Sequence, residues 1–197
     1  MEQIRAFIAI ELPDELRTNL SQLLDRLRPG QERAVKWVNP DSIHLTLKFL
    51  GNIPAEKVAD VTQAISGVTA RAKPCTLELQ ALGAFPNLRS PRVIWVGIGG
   101  SVTAIVNLQR KIDQTLIPLG FPAETREFSP HLTLGRVRDK ATPQERGYLG
   151  KAISSLKVES SSTFVVDKVN LMKSTLTSSG AIYDCLASVL FRGDSLA

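Results

Sequence analysis

Cysteine is scarce in this chain. Cys75 and Cys185 are the only two in 197 residues, and they form neither a C-x-x-C pair nor an evenly spaced series. That excludes a disulfide framework, and the expectation is two reduced thiols in a cytoplasmic protein. Long apolar runs are also missing. The opening MEQIRAFIAIELPDEL has a short apolar stretch broken by Glu11 and Pro13, too little for a signal-peptide core. Nothing approaches the ~18 apolar residues that a membrane span requires, so no membrane partner is expected. No Gly/Ser-rich linker divides the sequence, which predicts that residues 1–197 pack as a single unit. Histidine is as rare as cysteine, with only His44 and His131.

What is present is ordinary in bulk. The hydrophobic share of 43% and charged share of 22% are those of a globular chain large enough to bury roughly 70% of its unfolded surface. The net charge of +5 and pI of about 9.4 favour an anionic partner, a nucleic acid or a phosphorylated small molecule. A solvated basic surface would give the same balance.

Periodicity divides the chain into strands and helices. IRAFIAIEL (4–12) has the branched and aromatic residues of a buried strand. DELRTNLSQLLDRLR (14–28) places Leu16, Leu20, Leu23, Leu24 and Leu27 on one helical face, and Pro29-Gly30 ends it. SIHLTLKFLG (42–51) alternates as a half-buried strand, and Pro54 opens a helix over 55–72. Strands are expected at 75–85 and 92–99, joined by the turn-rich PNLRSP, followed by an amphipathic helix at 102–119. SPHLTLGRVR (129–138) repeats the alternating strand. Thr142-Pro143 then opens a helix through 156, and strands at 162–174 and 180–191, joined by TLTSS, complete the chain.

The order after each histidine is the same: histidine strand, Pro-opened helix, long strand, closing strand. Leu77 lies as far from His44 as Phe164 does from His131. The repeat predicts an α+β, bilobal fold of two pseudo-twofold-related, intertwined lobes. Each lobe would hold an antiparallel sheet with helices packed outside, and a central groove would lie between them.

Both histidines open the same word, His-Leu-Thr-Leu, at 44–47 and 131–134. On a strand, residues i and i+2 share a face, so His44 stands beside Thr46 and His131 beside Thr133, while the leucines enter the core. Two opposed imidazoles suit in-line displacement at phosphorus. With an unperturbed pKa of about 6.5, one neutral ring can accept a proton while a charged ring donates one. The threonine hydroxyls would hold the non-bridging phosphate oxygens. A zinc site is the competing reading of two histidines. It falls short because no carboxylate or thiolate adjoins either one, and zinc takes three or four protein ligands.

At these residues the chain resembles the two-histidine phosphoesterase superfamily, defined by paired His-x-Thr-x motifs. Within it, the resemblance is to the RNA 2′,3′-cyclic phosphodiesterases, also called 2′-5′ RNA ligases. It extends over RAFIAIELP (5–13), WVNPDSIHLTLKFLG (37–51), LGAFPNLRSPRVIWVGI (82–98), FSPHLTLGRV (128–137) and LMKSTLTSSGAIYDCL (171–186). The resemblance implies opening of a 2′,3′-cyclic phosphate at an RNA 3′ end, with no metal or other cofactor, to leave a 2′-phosphomonoester. It implies His44 as proton donor, His131 as proton acceptor, and Thr46 and Thr133 as holders of the phosphate. An RNA 5′-hydroxyl in place of water would give 2′-5′ ligation. Small cyclic nucleotides or an ADP-ribose cyclic phosphate are alternative substrates, and a non-catalytic RNA-end-binding module is an alternative role. The default assembly is a monomer.

Further candidates surround the motifs. Arg136 occupies a position where the family has an arginine near the phosphate. Its odd offset from His131 places it on the opposite strand face unless a bulge or strand end at Gly135 turns it inward. Lys48 shares the histidine face by parity, as a charge at the groove edge. Phe49, Trp37, Trp95 and Tyr183 are candidates for stacking on a base or for core packing. Arg89 and Arg92 flank the turn beside the groove and would attract backbone phosphates or stand as solvated loop charges.

Overall fold

The computed structural model describes residues 2–158, 162–177 and 180–193. Its elements follow the predicted order. They are β1 (Gln3–Glu11), α1 (Asp14–Leu27), β2 (Val35–Trp37), β3 (His44–Pro54), α2 (Lys57–Thr69), β4 (Cys75–Phe85) and β5 (Val93–Gly100). After these come α3 (Val102–Leu116), β6 (His131–Val137), α4 (Pro143–Ser155), β7 (Thr163–Val166), β8 (Lys168–Leu176) and β9 (Ala181–Leu190). The fold is α+β, as expected, with the strands in two antiparallel sheets ordered β3-β1-β8-β9 and β2-β6-β5-β4-β7.

The helices form for the reasons visible in the sequence. All five leucines of the predicted face of α1 are buried. In α4, Thr142 accepts from the Glu145 amide while Glu145 returns a bond to the Thr142 amide, a reciprocal cap that satisfies two amides left over at the helix start. Pro54 closes β3 rather than opening α2, which starts at Lys57.

One contiguous core joins the two sheets. Ile8, Leu45 and Leu171 from the first and Leu77, Ile94 and Leu132 from the second are all fully buried in it. Helices α2 and α3 touch each other and both touch β3, whereas α4 packs on β4.

The halves exchange strands. β4 follows the helix after the first histidine strand, yet it pairs with β5 and β7 in the second sheet. The strand expected as one piece at 162–174 is two: β7 pairs with β4, and past Asp167 the chain crosses to the first sheet, where β8 pairs with β1 and β9. Leu77 and Phe164, equidistant from their histidines, face each other across the β4–β7 ladder. The short β2, which periodicity over three residues could not reveal, lies on the edge beside β6. Ser178 and Ser179 of the expected TLTSS connection lie outside the described residues.

Candidate active site

Each histidine begins a strand, and each ring is fixed from behind in the same way. His44 Nδ1 lies 2.9 Å from the Ser42 carbonyl oxygen and His131 Nδ1 lies 2.6 Å from that of Ser129. A carbonyl can only accept, so Nδ1 donates in both rings, leaving Nε2 on the far side of each. Aromatic rings complete the support. Phe7 stacks on His44 at 4.7 Å and Tyr183 meets it edge-on at 5.0 Å. Phe85 meets His131 edge-on at 5.0 Å, with Trp95 at 6.4 Å. The Trp95 ring lies over Gly83, where a Cβ would come within 2.2 Å of it.

Thr46 and Thr133 share the faces of their histidines, and the alternate leucines, Leu45, Leu47, Leu132 and Leu134, are buried. Neither threonine hydroxyl bonds another protein group among the described residues, so both remain available to a ligand.

A β-bulge follows each motif at the same place. In β3, Ala9 pairs with Thr46 and Ile8 with Lys48, leaving Leu47 as the extra residue. In β6, Trp95 pairs with Thr133 and Ile94 with Gly135, leaving Leu134 as the extra residue. An extra residue reverses the alternation beyond it. Lys48 is therefore not on the histidine face, contrary to the parity argument. It points into the interior, 3% exposed, where its ammonium bonds the Asp113 carboxylate and the Pro122 carbonyl at 2.8 Å. Phe49 takes the histidine face instead and is 61% exposed.

The second bulge has the mirrored effect. Gly135 turns inward beside β2, where a Cβ would come within 2.8 Å of the Val35 side chain and 2.9 Å of the Trp37 ring. Arg136, exposed, joins His131 and Thr133 on the outer face. Phe49 and Arg136 thus occupy equivalent positions in the two strands. Trp37 packs against the core on the far side of β6 and is not a groove residue.

Electrostatics link the two faces. Burial pushes the Tyr183 hydroxyl up, while Arg136 and Arg5 act against it. Arg136, on one sheet, is therefore within electrostatic range of Tyr183 on the other, and Tyr183 touches His44. Strands β3 and β6 also approach each other where the sheets meet. The two motif strands are therefore neighbours at the junction of the sheets. Burial lowers the pKa of His44, against the opposing pulls of the Ser42 carbonyl and the Glu11 carboxylate. Glu11 pairs with His44 across β1 and β3, and it accepts from Asn170 Nδ2.

Several of these residues escaped the sequence reading. The sequence shows β1 only as a buried strand, which conceals that Phe7 backs His44 and that Glu11 pairs with it. The available signal was polar: Arg5 and Glu11 bracket Phe7 at odd positions of the strand. Arg89 lines an apolar depression with Gly83, Asn87, Leu88 and Trp95. Arg92 is exposed just before β5, and its amide donates to the Phe85 carbonyl. Among the described residues, no three His, Cys, Asp or Glu side chains gather into a metal-binding group.

Residues 10–95 and 100–183 match the family described as LigT like phosphoesterase. The chain belongs to that family. Among its relatives are proteins named RNA 2′,3′-cyclic phosphodiesterase. The one from Methanothermobacter thermautotrophicus is 34% identical, with 92% of this chain and 95% of the relative aligned. The one from Archaeoglobus fulgidus is 35% identical, with 91% and 96% aligned. Solved structures agree. TT0787 of Thermus thermophilus superposes with a TM-score of 0.79 at 26% identity, covering 98% of this chain and all of that one (100%). Escherichia coli LigT complexed with 3′-AMP gives 0.75 at 26% identity, covering 96% and 99%.

Proposed function

We propose that this phosphoesterase hydrolyses the 2′,3′-cyclic phosphate at an RNA 3′ end to a 2′-phosphomonoester, by acid–base catalysis with His44 and His131. The observation that carries the reading is the matched pair of sites. Each sheet presents an imidazole whose Nδ1 is tied to a carbonyl two residues back, beside a threonine hydroxyl that no protein group among the described residues engages. The relatives' name, RNA 2′,3′-cyclic phosphodiesterase, supports this substrate.

In the proposed step, water attacks phosphorus and His131 Nε2 takes its proton as the P–O bond forms. The bond from phosphorus to O3′ breaks, and His44 Nε2 delivers a proton to O3′. Thr46, Thr133 and Arg136 stabilise the charge on the non-bridging oxygens. Burial favours neutral His44 in the free protein, so the donor role requires the phosphodiester anion and Glu11 to offset that burial when substrate binds. An RNA 5′-hydroxyl in place of water yields a 2′-5′ linkage by the same displacement. Exposed Phe49 and partly buried Tyr183 offer stacking surfaces for a base at the first motif.

The test is product analysis of a short oligonucleotide ending in a 2′,3′-cyclic phosphate, separating 2′-phosphate, 3′-phosphate and ligated species. The wild type should give the 2′-phosphate. His44→Ala and His131→Ala should each lower turnover at least about 100-fold, the scale of losing a general acid or base. A predominantly 3′-phosphate product, or a single variant with near-normal turnover, would overturn the scheme.

A further inference from the structure

The two histidines are held alike, but the chain arrives at them differently. Before His44, residues Pro40–Ser42 form a one-turn 3₁₀ helix capped by Asn39, and Ser42, the residue that holds the ring, belongs to that turn. Arg28 also bonds the Val38 carbonyl at 3.5 Å. Before His131, residues 121–130 have no regular structure, and 122–127 are exposed throughout. This segment nevertheless has to hold the Ser129 carbonyl on His131 Nδ1. Its hydrogen-bonded anchorage beyond Phe121 comes from a buried ion pair. The Lys48 ammonium bonds Asp113 and the Pro122 carbonyl at 2.8 Å, and the Glu124 amide bonds the two Asp113 carboxylate oxygens at 3.3 and 3.1 Å.

Lys48 reaches this place only because of the bulge at Leu47, the residue after Thr46. Against an apolar pair of similar volume, a buried ion pair generally adds little net stability, since desolvation offsets the attraction. What it supplies here is direction. It gathers the first histidine strand, helix α3 and both Pro122 and Glu124 at one point. The approach to the second histidine is thereby set by a residue of the first motif strand.

We propose that Lys48 and Asp113 are positioning residues for His131. By pinning Pro122 and Glu124 they hold the segment that keeps the Ser129 carbonyl on Nδ1, and so fix the tautomer and aim of the second imidazole. The catalytic consequence rests on the role proposed above for His131, whereas the structural consequence does not.

The experiment is long-range ¹H–¹⁵N NMR of the imidazoles in wild-type, Lys48→Met and Asp113→Asn proteins, alongside kcat and KM on the cyclic-phosphate oligonucleotide. With two histidines in the chain, the spectrum holds two ring systems, and His131→Gln assigns them. Wild-type His131 should show one Nδ1-protonated tautomer. In the variants its nitrogen shifts should move toward an average of both tautomers, while those of His44 stay in place. Turnover should fall about 10- to 100-fold with KM changed less than about threefold, the scale of a misplaced catalytic group. If Lys48→Met does not fold, Asp113→Asn, which keeps the carboxylate's shape and one acceptor oxygen, carries the test. Folded variants with unchanged His131 shifts, or with both rings perturbed equally, would overturn the proposal. Shifted His131 signals with normal kcat in an active enzyme would overturn its catalytic part. A wild type inactive on cyclic phosphate would instead count against the proposed substrate and leave the NMR comparison decisive for the positioning.

Discussion

His44 illustrates how much of the site is settled by the surroundings of one side chain. Its ring packs against both Phe7 and Tyr183, which also touch each other, and burial outweighs the carbonyl and Glu11 in lowering its pKa. In the unfolded chain the same ring takes a proton near pH 6.5. Below that pH, and down to the lowered folded value, the unfolded state binds more protons, so folding stability falls as the pH falls. The wild type should lose thermal stability between about pH 6.5 and 5, and His44→Gln should lose less over that window. Melting temperatures of both proteins across the range check it, and parallel curves would count against burial as the cause. His-x-Thr pairing was legible because period-two alternation places both residues on one face. Phe7 was not, because a ring that backs a histidine has the same hydrophobic character as one in the core.

At the scale of elements, the paired bulges decide which side chains meet the groove. Strict alternation puts Lys48 with His44 and Arg136 opposite His131. One extra residue per strand reverses both placements. The sequence carried a hint in the second copy, since Gly135 is where a bulge is easily accommodated. In the first copy Lys48 occupies that place, and nothing local distinguishes an inward lysine from an outward one. Gly135 is needed because the Val35 and Trp37 side chains of the neighbouring strand β2 crowd it. In Gly135→Ala the new methyl would collide with Val35 and Trp37, and overpacking of this kind costs about 1–3 kcal/mol. Chemical denaturation should show a lower midpoint with an unchanged slope. A variant as stable as the wild type would mean that β2 shifts without loss.

Across the whole molecule, the two motif strands sit in different sheets that share one core. Strand exchange through β4, and the crossing from β7 to β8, tie each sheet to residues from both halves of the chain. The relation between the motif faces is therefore built into the fold and not left to a hinge. The motif faces carry two imidazoles, two hydroxyls and Arg136, the groups that the proposed reaction would use to stabilise a phosphorane-like charge by hydrogen bonding. Turnover of the cyclic-phosphate oligonucleotide should accordingly persist at full rate in excess EDTA. Loss of activity that added zinc restores would revive the metal reading of the two histidines.

The sequence alone determined the helices, most of the strands and the presence of two His-Thr faces, because each of these is set by periodicity within a few residues. Tertiary structure decided what periodicity cannot reach. A bulge exists only in the pairing of one strand with its neighbour, so the inward turn of Lys48 and the outward turns of Phe49 and Arg136 depended on β1 and β5. The membership of β4 in the second sheet, and the break at Asp167, depended on hydrogen-bond partners distant in sequence. The repeated word His-Leu-Thr-Leu named the two His-Thr faces. The ladders around it determined what stands beside them.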